Sequence, residues 1–216
     1  MPSWPVHLAI AKKLSKKLNL GDEFIIGNVL PDVLQGWEIQ NPSQIVNKKS
    51  NHFVKKLSID IDSFLNKYKN EFKNPLVKGY LAHLMTDEFF NKYTYEKHIL
   101  YKGDKVSLIL KNGEIKTDFK EKPREIKQKD FKIFGQKLIN DSLLTNVKTN
   151  INLNNPIKES PITKEDLNKT IIKINNLNND KNSYDEKDYT LFTEKELLNL
   201  YNKCYESILK KLTEYS

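Results

Sequence analysis

The chain has 216 residues, 38% hydrophobic and 30% charged, a balance that suits one folded domain with its own core and excludes a disordered or fibrous chain. Lys and Arg outnumber Asp and Glu by 36 to 28, a net charge of +8 that favours anionic partners such as phosphorylated metabolites, phospholipid headgroups or nucleic acid, although Lys and Asn are abundant throughout and composition alone explains much of it. There is no apolar run of about 18 residues to span a bilayer, no basic leader with an apolar stretch behind it, and one cysteine, Cys204, which cannot form an internal disulfide; the expected setting is cytoplasmic, with no stable membrane insertion.

Ser3-Trp4-Pro5 opens the first predicted helix, Ser3 as its cap and Pro5 in its first turn. Leu8, Ile10, Ala11, Leu14 and Leu18 then recur at helical spacing. A short helical or turn-rich segment carries Phe24, Ile25, Ile26, Val29 and Leu30 and is expected to stop at Pro31-Asp32. Residues 35–51 read as loop. A further helix is expected from His52-Phe53 through Leu57, Ile61 and Phe64 to about Tyr68, and Asn74-Pro75 starts a longer one that reaches about Tyr95.

The period then changes. Residues 105–110 alternate as a strand does, Asn112-Gly113 is a strong hairpin turn, and 114–117 form the return strand. This small β-hairpin, around 105–117, is expected as an insertion between helices, with no third strand. Helical pattern resumes over about 129–144, residues 146–161 read as an Asn-rich loop, and two late helices announce themselves by the capping boxes Thr163-x-x-Asp166 and Thr193-x-x-Glu196. Cys204 reads as core filler in the last of them. The expected fold is mainly α, a bundle-like single domain over 1–216, divided into a metal-site half (1–98), a hairpin insertion (99–126) and C-terminal helices (127–216).

Histidine is scarce: His7, His52, His83 and His98 are the whole set. The sharpest local signal is His83-Leu-Met-Thr-Asp87. Residues four apart on a helix share a face, with about 5–6 Å between Cβ atoms, so an imidazole and a carboxylate can grip one cation from consecutive turns. The surroundings, Leu81, Leu84, Met85, Phe89 and Phe90, are apolar, so the pair must satisfy each other or flank a metal. Taken singly, Asp32 is an ordinary turn former, His52 a capping or surface histidine and His7 a polar first-turn residue. Together, three imidazoles and two carboxylates make a ligand set for two divalent ions. Such a mixture suits Zn²⁺, with Mn²⁺ or Fe as alternatives, and two ions about 3.5–4 Å apart form a clamp for phosphoester hydrolysis.

Four pieces, Trp4-Pro5-Val6-His7, Gly27-x-x-x-Pro31-Asp32, Asn51-His52-Phe53 and Gly79-Tyr80-Leu81-x-His83-Leu84-x-x-Asp87, together resemble the zinc-dependent phospholipase C family, which shares its helical fold with certain fungal single-strand nucleases. The resemblance covers residues 1 to about 95. It implies an all-helical fold, with Asp32, His52, His83 and Asp87 on one metal, and His7 on a second that Asp87 bridges. This chain departs from the pattern in two ways. Three residues precede Trp4, whose free amine would otherwise be a ligand, so Trp4 is expected to pack beside the site. Only His98 remains for a third metal, and its spacing does not match, so two ions are expected at most.

The function implied is metal-dependent hydrolysis of a phosphoester, phospholipase C-like or phosphodiesterase, on a small phosphorylated or phospholipid substrate, with Asp32 orienting the nucleophile and Trp4, His98 and Arg124 as peripheral candidates. Glu88 projects about 100° from Asp87 on its helix and is expected outside the ligand set. An HD-type phosphohydrolase would need an adjacent His-Asp pair, which is lacking. A non-catalytic basic helical binding protein using Lys12, Lys13, Lys16 and Lys17 is the alternative from another class. Nucleic acid is less favoured as its partner, because Arg124 is the only arginine and bidentate arginine is the commonest base-specific contact.

Overall fold

The computed structural model describes residues 2–55, 58–102, 105–117, 122–149 and 151–215. Their order is α1 (Trp4–Leu18), α2 (Asp22–Val33), α3 (Lys48–Asn51), a two-stranded ribbon β1 (Val54–Lys55) and β2 (Ser58–Ile59), α4 (Ile61–Tyr68), α5 (Pro75–Lys97), strands β3 (Ile99–Lys102), β4 (Lys105–Ile109) and β5 (Ile115–Lys116), then α6 (Pro123–Asn140), α7 (Lys164–Leu177) and α8 (Glu194–Glu214). The fold is mainly α with two small antiparallel sheets, as the pattern of periods requires. One core runs from Trp4 to Leu212, and no helix among the described residues is long and apolar enough to cross a membrane.

The first half of α5 is apolar over most of its circumference: Leu76, Val77, Tyr80, Leu81, Ala82 and Leu84 are all buried, and Lys78 is half-buried. A helix so widely apolar must be surrounded, and α5 is, by α2, α4 and α8, with α1 bridging α2, α6 and α8. The α2–α5 contact is made backbone to backbone. A Cβ on Gly79 would stand 2.1 Å from the Phe24 carbonyl oxygen, and one on Gly27 would stand 2.2 Å from that of Leu76. Both glycines belong to the motifs read from the sequence, and each is there because no side chain fits.

Several sequence expectations are corrected. Ser3 holds the N-cap position of α1 but makes no side-chain cap; its hydroxyl donates to the Phe131 carbonyl at 3.0 Å, because α6 lies against this end of α1. Helix α2 does not stop at Pro31 but includes it and ends at Val33; a proline in the last turn forfeits one hydrogen bond without breaking the rest. No helix starts at His52. The chain turns there, forms the β1–β2 ribbon with Val54 opposite Ile59, and α4 begins only at Ile61, capped by Asp60, whose carboxylate accepts from the Ser63 amide at 2.9 Å. Leu57 lies outside the described residues.

The hairpin has a third strand, β3, in the order β3-β4-β5. Gly113 adopts φ +83 at its turn, the left-handed conformation that glycine allows without strain. Helix α6 starts at Pro123, earlier than expected, and ends at Asn140.

His98 ties this sheet to α8. Its Nδ1 donates to the Ile109 carbonyl at 3.0 Å and its Nε2 meets Glu196 Oε1 at 2.9 Å. Burial opposes a charge on His98, but Glu196 and Ile109 outweigh it and raise its pKa above the usual 6.5. A histidine raised on folding stabilises fully below the unfolded-state value and loses that contribution as pH rises through the folded one.

Two outcomes follow from these contacts. Gly79→Ala should destabilise the protein by about 3 kcal/mol, the upper end for overpacking, because backbone blocks the new methyl; chemical denaturation measures it, and a shift near zero contradicts the contact. Stability should fall as pH rises from the ordinary histidine value of 6.5 through the higher folded value of His98, and Glu196→Gln should flatten that part of the profile; an unchanged profile in the variant contradicts the assignment.

Candidate metal centre

Four separate elements deliver five side chains to one buried point. His7 comes from the second turn of α1, Asp32 from the last turn of α2, His52 from the residue that ends α3, and His83 and Asp87 from one face of α5. His52 Nε2 lies 3.2 Å from Asp32 Oδ1 and 3.7 Å from Asp87 Oδ2. His7 Nε2 lies 3.3 Å from Asp87 Oδ1, and His83 Nε2 lies 3.5 Å from Asp87 Oδ2 and 4.0 Å from Asp32 Oδ2. The His7 and His83 rings stack with centroids 4.1 Å apart. All five residues are buried, Asp32 the least so at 3% exposure.

The hydrogen bonds behind the rings decide what faces inward. His83 Nδ1 meets the Asn28 carbonyl at 2.7 Å, a pure acceptor, so Nδ1 carries the hydrogen. His52 Nδ1 meets Asn51 Oδ1 at 2.7 Å. The Asn51 amide nitrogen donates to the Pro31 carbonyl at 2.6 Å, which leaves Oδ1 as the acceptor and His52 Nδ1 as the donor. In the neutral rings both Nε2 atoms are therefore bare lone pairs, and they face each other at 3.3 Å.

Around them, both nitrogens of His7, Asp32 Oδ1 and both Asp87 oxygens have no hydrogen-bond partner among the described residues. Each such buried group costs about 1–3 kcal/mol, and more if charged. Asp32 also stands at the C-terminal end of α2, where the helix dipole disfavours an anion. Imidazole nitrogens and carboxylates converging on one point are what a cation resolves.

The acid–base state agrees. Burial, helped by the charge of His83, lowers the His7 pKa to about 4, and burial lowers that of His52 as well, so both are neutral and ready to coordinate. Burial works to raise the Asp32 pKa, but His83 and His52 beside it prevail and hold it at about 2; Asp87 is likewise driven down against burial, by His83 and His7. For His83, burial is outweighed by Asp87 and Asp32 and the pKa rises. A proton on His83 thus meets part of the demand that a metal would meet in full.

The ligand atoms fall into two overlapping groups, His7-His83-Asp87 and Asp32-His52-His83, each with its atoms within 4.8 Å of one another. These buried groups can hold a metal ion. All five residues expected from the sequence are brought together. The peripheral candidates separate: Arg124 lines a cleft of about 260 Å³ that ends on His52, together with Lys48, Glu88, Tyr95 and Lys127. Trp4 is buried one turn before His7 and borders a different cavity, with Glu38 and Lys132. His98 is engaged by Ile109 and Glu196 and stands outside the ligand groups. Glu88 also stays outside them, accepting from the Ile59 amide at 2.8 Å.

Sequence reasoning missed the residues that aim the ligands. Asn28 and Asn51 set the two tautomers, and Tyr80 donates its hydroxyl to the Asn51 carbonyl while meeting Ser160 Oγ at 3.0 Å. Asn51 and Tyr80 were visible within the quoted motifs, but nothing in their spacing tells a positioning role from a packing one. Lys48, Lys127 and Glu38 carried no signal at all. Immediately after His52, Phe53 adopts φ +52, a strained conformation for a bulky side chain that costs about 1–3 kcal/mol. It is held by edge packing on Phe64, centroids 5.2 Å apart, and by the Asp60 amide, which donates to its carbonyl at 2.9 Å.

Adding Zn²⁺ to chelator-treated protein should raise its melting temperature, and His83→Ala should lower bound metal measured by elemental analysis. Because the metal displaces a proton from His83, affinity should be weaker at about pH 6 than at about pH 8, with proton release detectable by calorimetry in two buffers; equal affinity at both pH values contradicts the site. Set against protein-family models, curated proteins and solved structures, the chain matches none of them, and the functional reading rests on its own geometry.

Proposed function

We propose that this protein is a metal-dependent phosphoester hydrolase, with Zn²⁺ the favoured ion, two ions the expected number, and a chemistry related to that of the zinc-dependent phospholipase C family. The observation that carries the reading is the pairing of a buried, electron-rich His/Asp cluster with a cation-lined cleft that reaches it at His52. A bound divalent ion supplies Lewis acidity and lowers the pKa of water toward about 7.

The chain's own residues do the rest. Asp32 is ionised at neutral pH and is the most accessible of the five, so it orients the attacking water and accepts its proton. Asp87, fully buried and facing all three imidazoles, anchors the centre. Lys48 and Arg124 face the substrate from the cleft and offset the charge that grows on the phosphoryl oxygens. The enclosing core excludes bulk water, which strengthens each of these interactions.

The binding-protein reading loses two of its lysines. Lys12 donates to the carbonyls of Ser142 and Leu144, at 3.1 and 2.7 Å, and Lys13 lies 4.0 Å from the centroid of the Tyr205 ring. Neither is a free cation waiting for a partner.

Zn²⁺-loaded protein should release p-nitrophenol from p-nitrophenyl phosphoesters, and a chelator should abolish the rate. Asp32→Asn should lower kcat by about a hundredfold or more, the usual cost of removing a positioned base. A rate that survives both chelation and His83→Ala refutes the proposal.

A further inference from the structure

The cleft that ends on His52 is unbalanced in charge. Lys48, Arg124 and Lys127 line it against a single carboxylate, Glu88, and among the described residues none of the three cations forms an ion pair. Lys127 is 3% exposed. Its ammonium donates to the neutral amide oxygen of Asn91 at 2.7 Å and lies 5.0 Å from the centroid of the Tyr95 ring. Burial, aided by Arg124 and Lys48 and opposed by Asp87, pulls its pKa down to about 8. Lys48 rests 4.8 Å from the centroid of the Trp37 ring. A buried cation with no counter-ion is costly unless a ligand brings the missing charge.

Charge and size together narrow that ligand. A phosphodiester brings one negative charge, whereas a phosphate monoester brings about 1.5 to 2 near neutral pH. Among the described residues that line the cleft, Lys48, Arg124 and Lys127 outnumber Glu88, and a monoester dianion answers that excess better than a diester monoanion. The cleft, at about 260 Å³, falls below the roughly 300–1,000 Å³ of pockets that enclose drug-sized ligands. A cleft of this size encloses a phosphoryl group with a small substituent, and a bulkier ligand would extend beyond it.

From this we infer that the substrate class is a small organic phosphate monoester, whose doubly charged phosphoryl group sits between the His52 end of the centre and the cations Lys48, Arg124 and Lys127. This inference rests on the hydrolase reading above. The reaction balances as a hydrolysis: water oxygen bonds to phosphorus, the ester P–O bond breaks, and the alcohol leaves with a proton, giving inorganic phosphate. Arg124 is suited to the task because its planar fork matches phosphate oxygens two at a time.

The test compares kcat/KM for p-nitrophenyl phosphate and bis-p-nitrophenyl phosphate in the Zn²⁺-loaded protein and in Arg124→Gln and Lys48→Gln. In parallel, inorganic phosphate is titrated into the chelator-treated proteins by calorimetry. The monoester should be preferred. Arg124→Gln should cost about tenfold or more in kcat/KM for the monoester and in phosphate affinity, as expected for a charged hydrogen bond, with bound metal unchanged and a smaller loss on the diester. Preference for the diester, or equal losses on both esters with unchanged phosphate affinity, overturns the inference while leaving the hydrolase reading intact. Failure to turn over either ester refutes that reading instead. The titration then decides the cleft by itself: saturable phosphate binding weakened by Arg124→Gln upholds it as a dianion site, and no binding overturns it.

Discussion

The backbone contact between α2 and α5 is the constraint on which the rest of the molecule depends. Gly27 and Gly79 let the two helices meet with no side chain between them. The face of α5 that follows Gly79 by one and two turns carries His83 and Asp87, and the end of α2 that follows Gly27 carries Asp32. Any residue larger than glycine at the crossing would clash with the facing backbone and force the two helices, and these groups with them, apart. The same proximity lets the Asn28 carbonyl accept from His83 Nδ1, so one packing decision places the ligands and also sets a tautomer.

That geometry is bought against stability rather than for it. Five buried polar atoms of His7, Asp32 and Asp87 go unpartnered among the described residues, two imidazole lone pairs face each other, and Phe53 is strained beside His52. Each is a cost that a core of ordinary apolar residues would avoid. The large apolar core from Trp4 to Leu212 offsets these costs and keeps the electron-rich cluster from relaxing. A cation entering the cluster would satisfy the carboxylate oxygens and one nitrogen of His7 together.

The parts of the chain beyond Lys97 serve the site indirectly. The irregular segment before α7 supplies Ser160 to the Tyr80 hydroxyl, which in turn holds Asn51 and so His52. Asp166, at the start of α7, accepts from the Ser43 amide at 2.8 Å and pins the loop that leads into Lys48. Helix α6 contributes Arg124 and Lys127 to the wall of the cleft, while Asp130 on the same helix accepts from the Thr190, Leu191 and Phe192 amides and fixes the approach to α8. Helix α6 and Lys48 of α3 therefore form the cationic side of a site whose candidate ligands all come from the first ninety residues.

The helical periods, the caps Thr163 and Thr193, the Asn112-Gly113 turn and the His83–Asp87 pair were legible in the sequence, because each depends on residues within a few positions of one another. It also singled out His7, Asp32 and His52, through scarcity and motif order. It misread what distant partners decide. Ser3 is drawn from capping by Phe131, the stretch after His52 turns into a ribbon instead of a helix, and Ile99–Lys102 becomes a strand only by pairing with β4. Folding alone brought Lys48 and Lys127 to the cleft at His52, where neither forms an ion pair among the described residues. Charge balance and lone-pair direction are set by neighbours in space, and spacing along the chain carries no record of them.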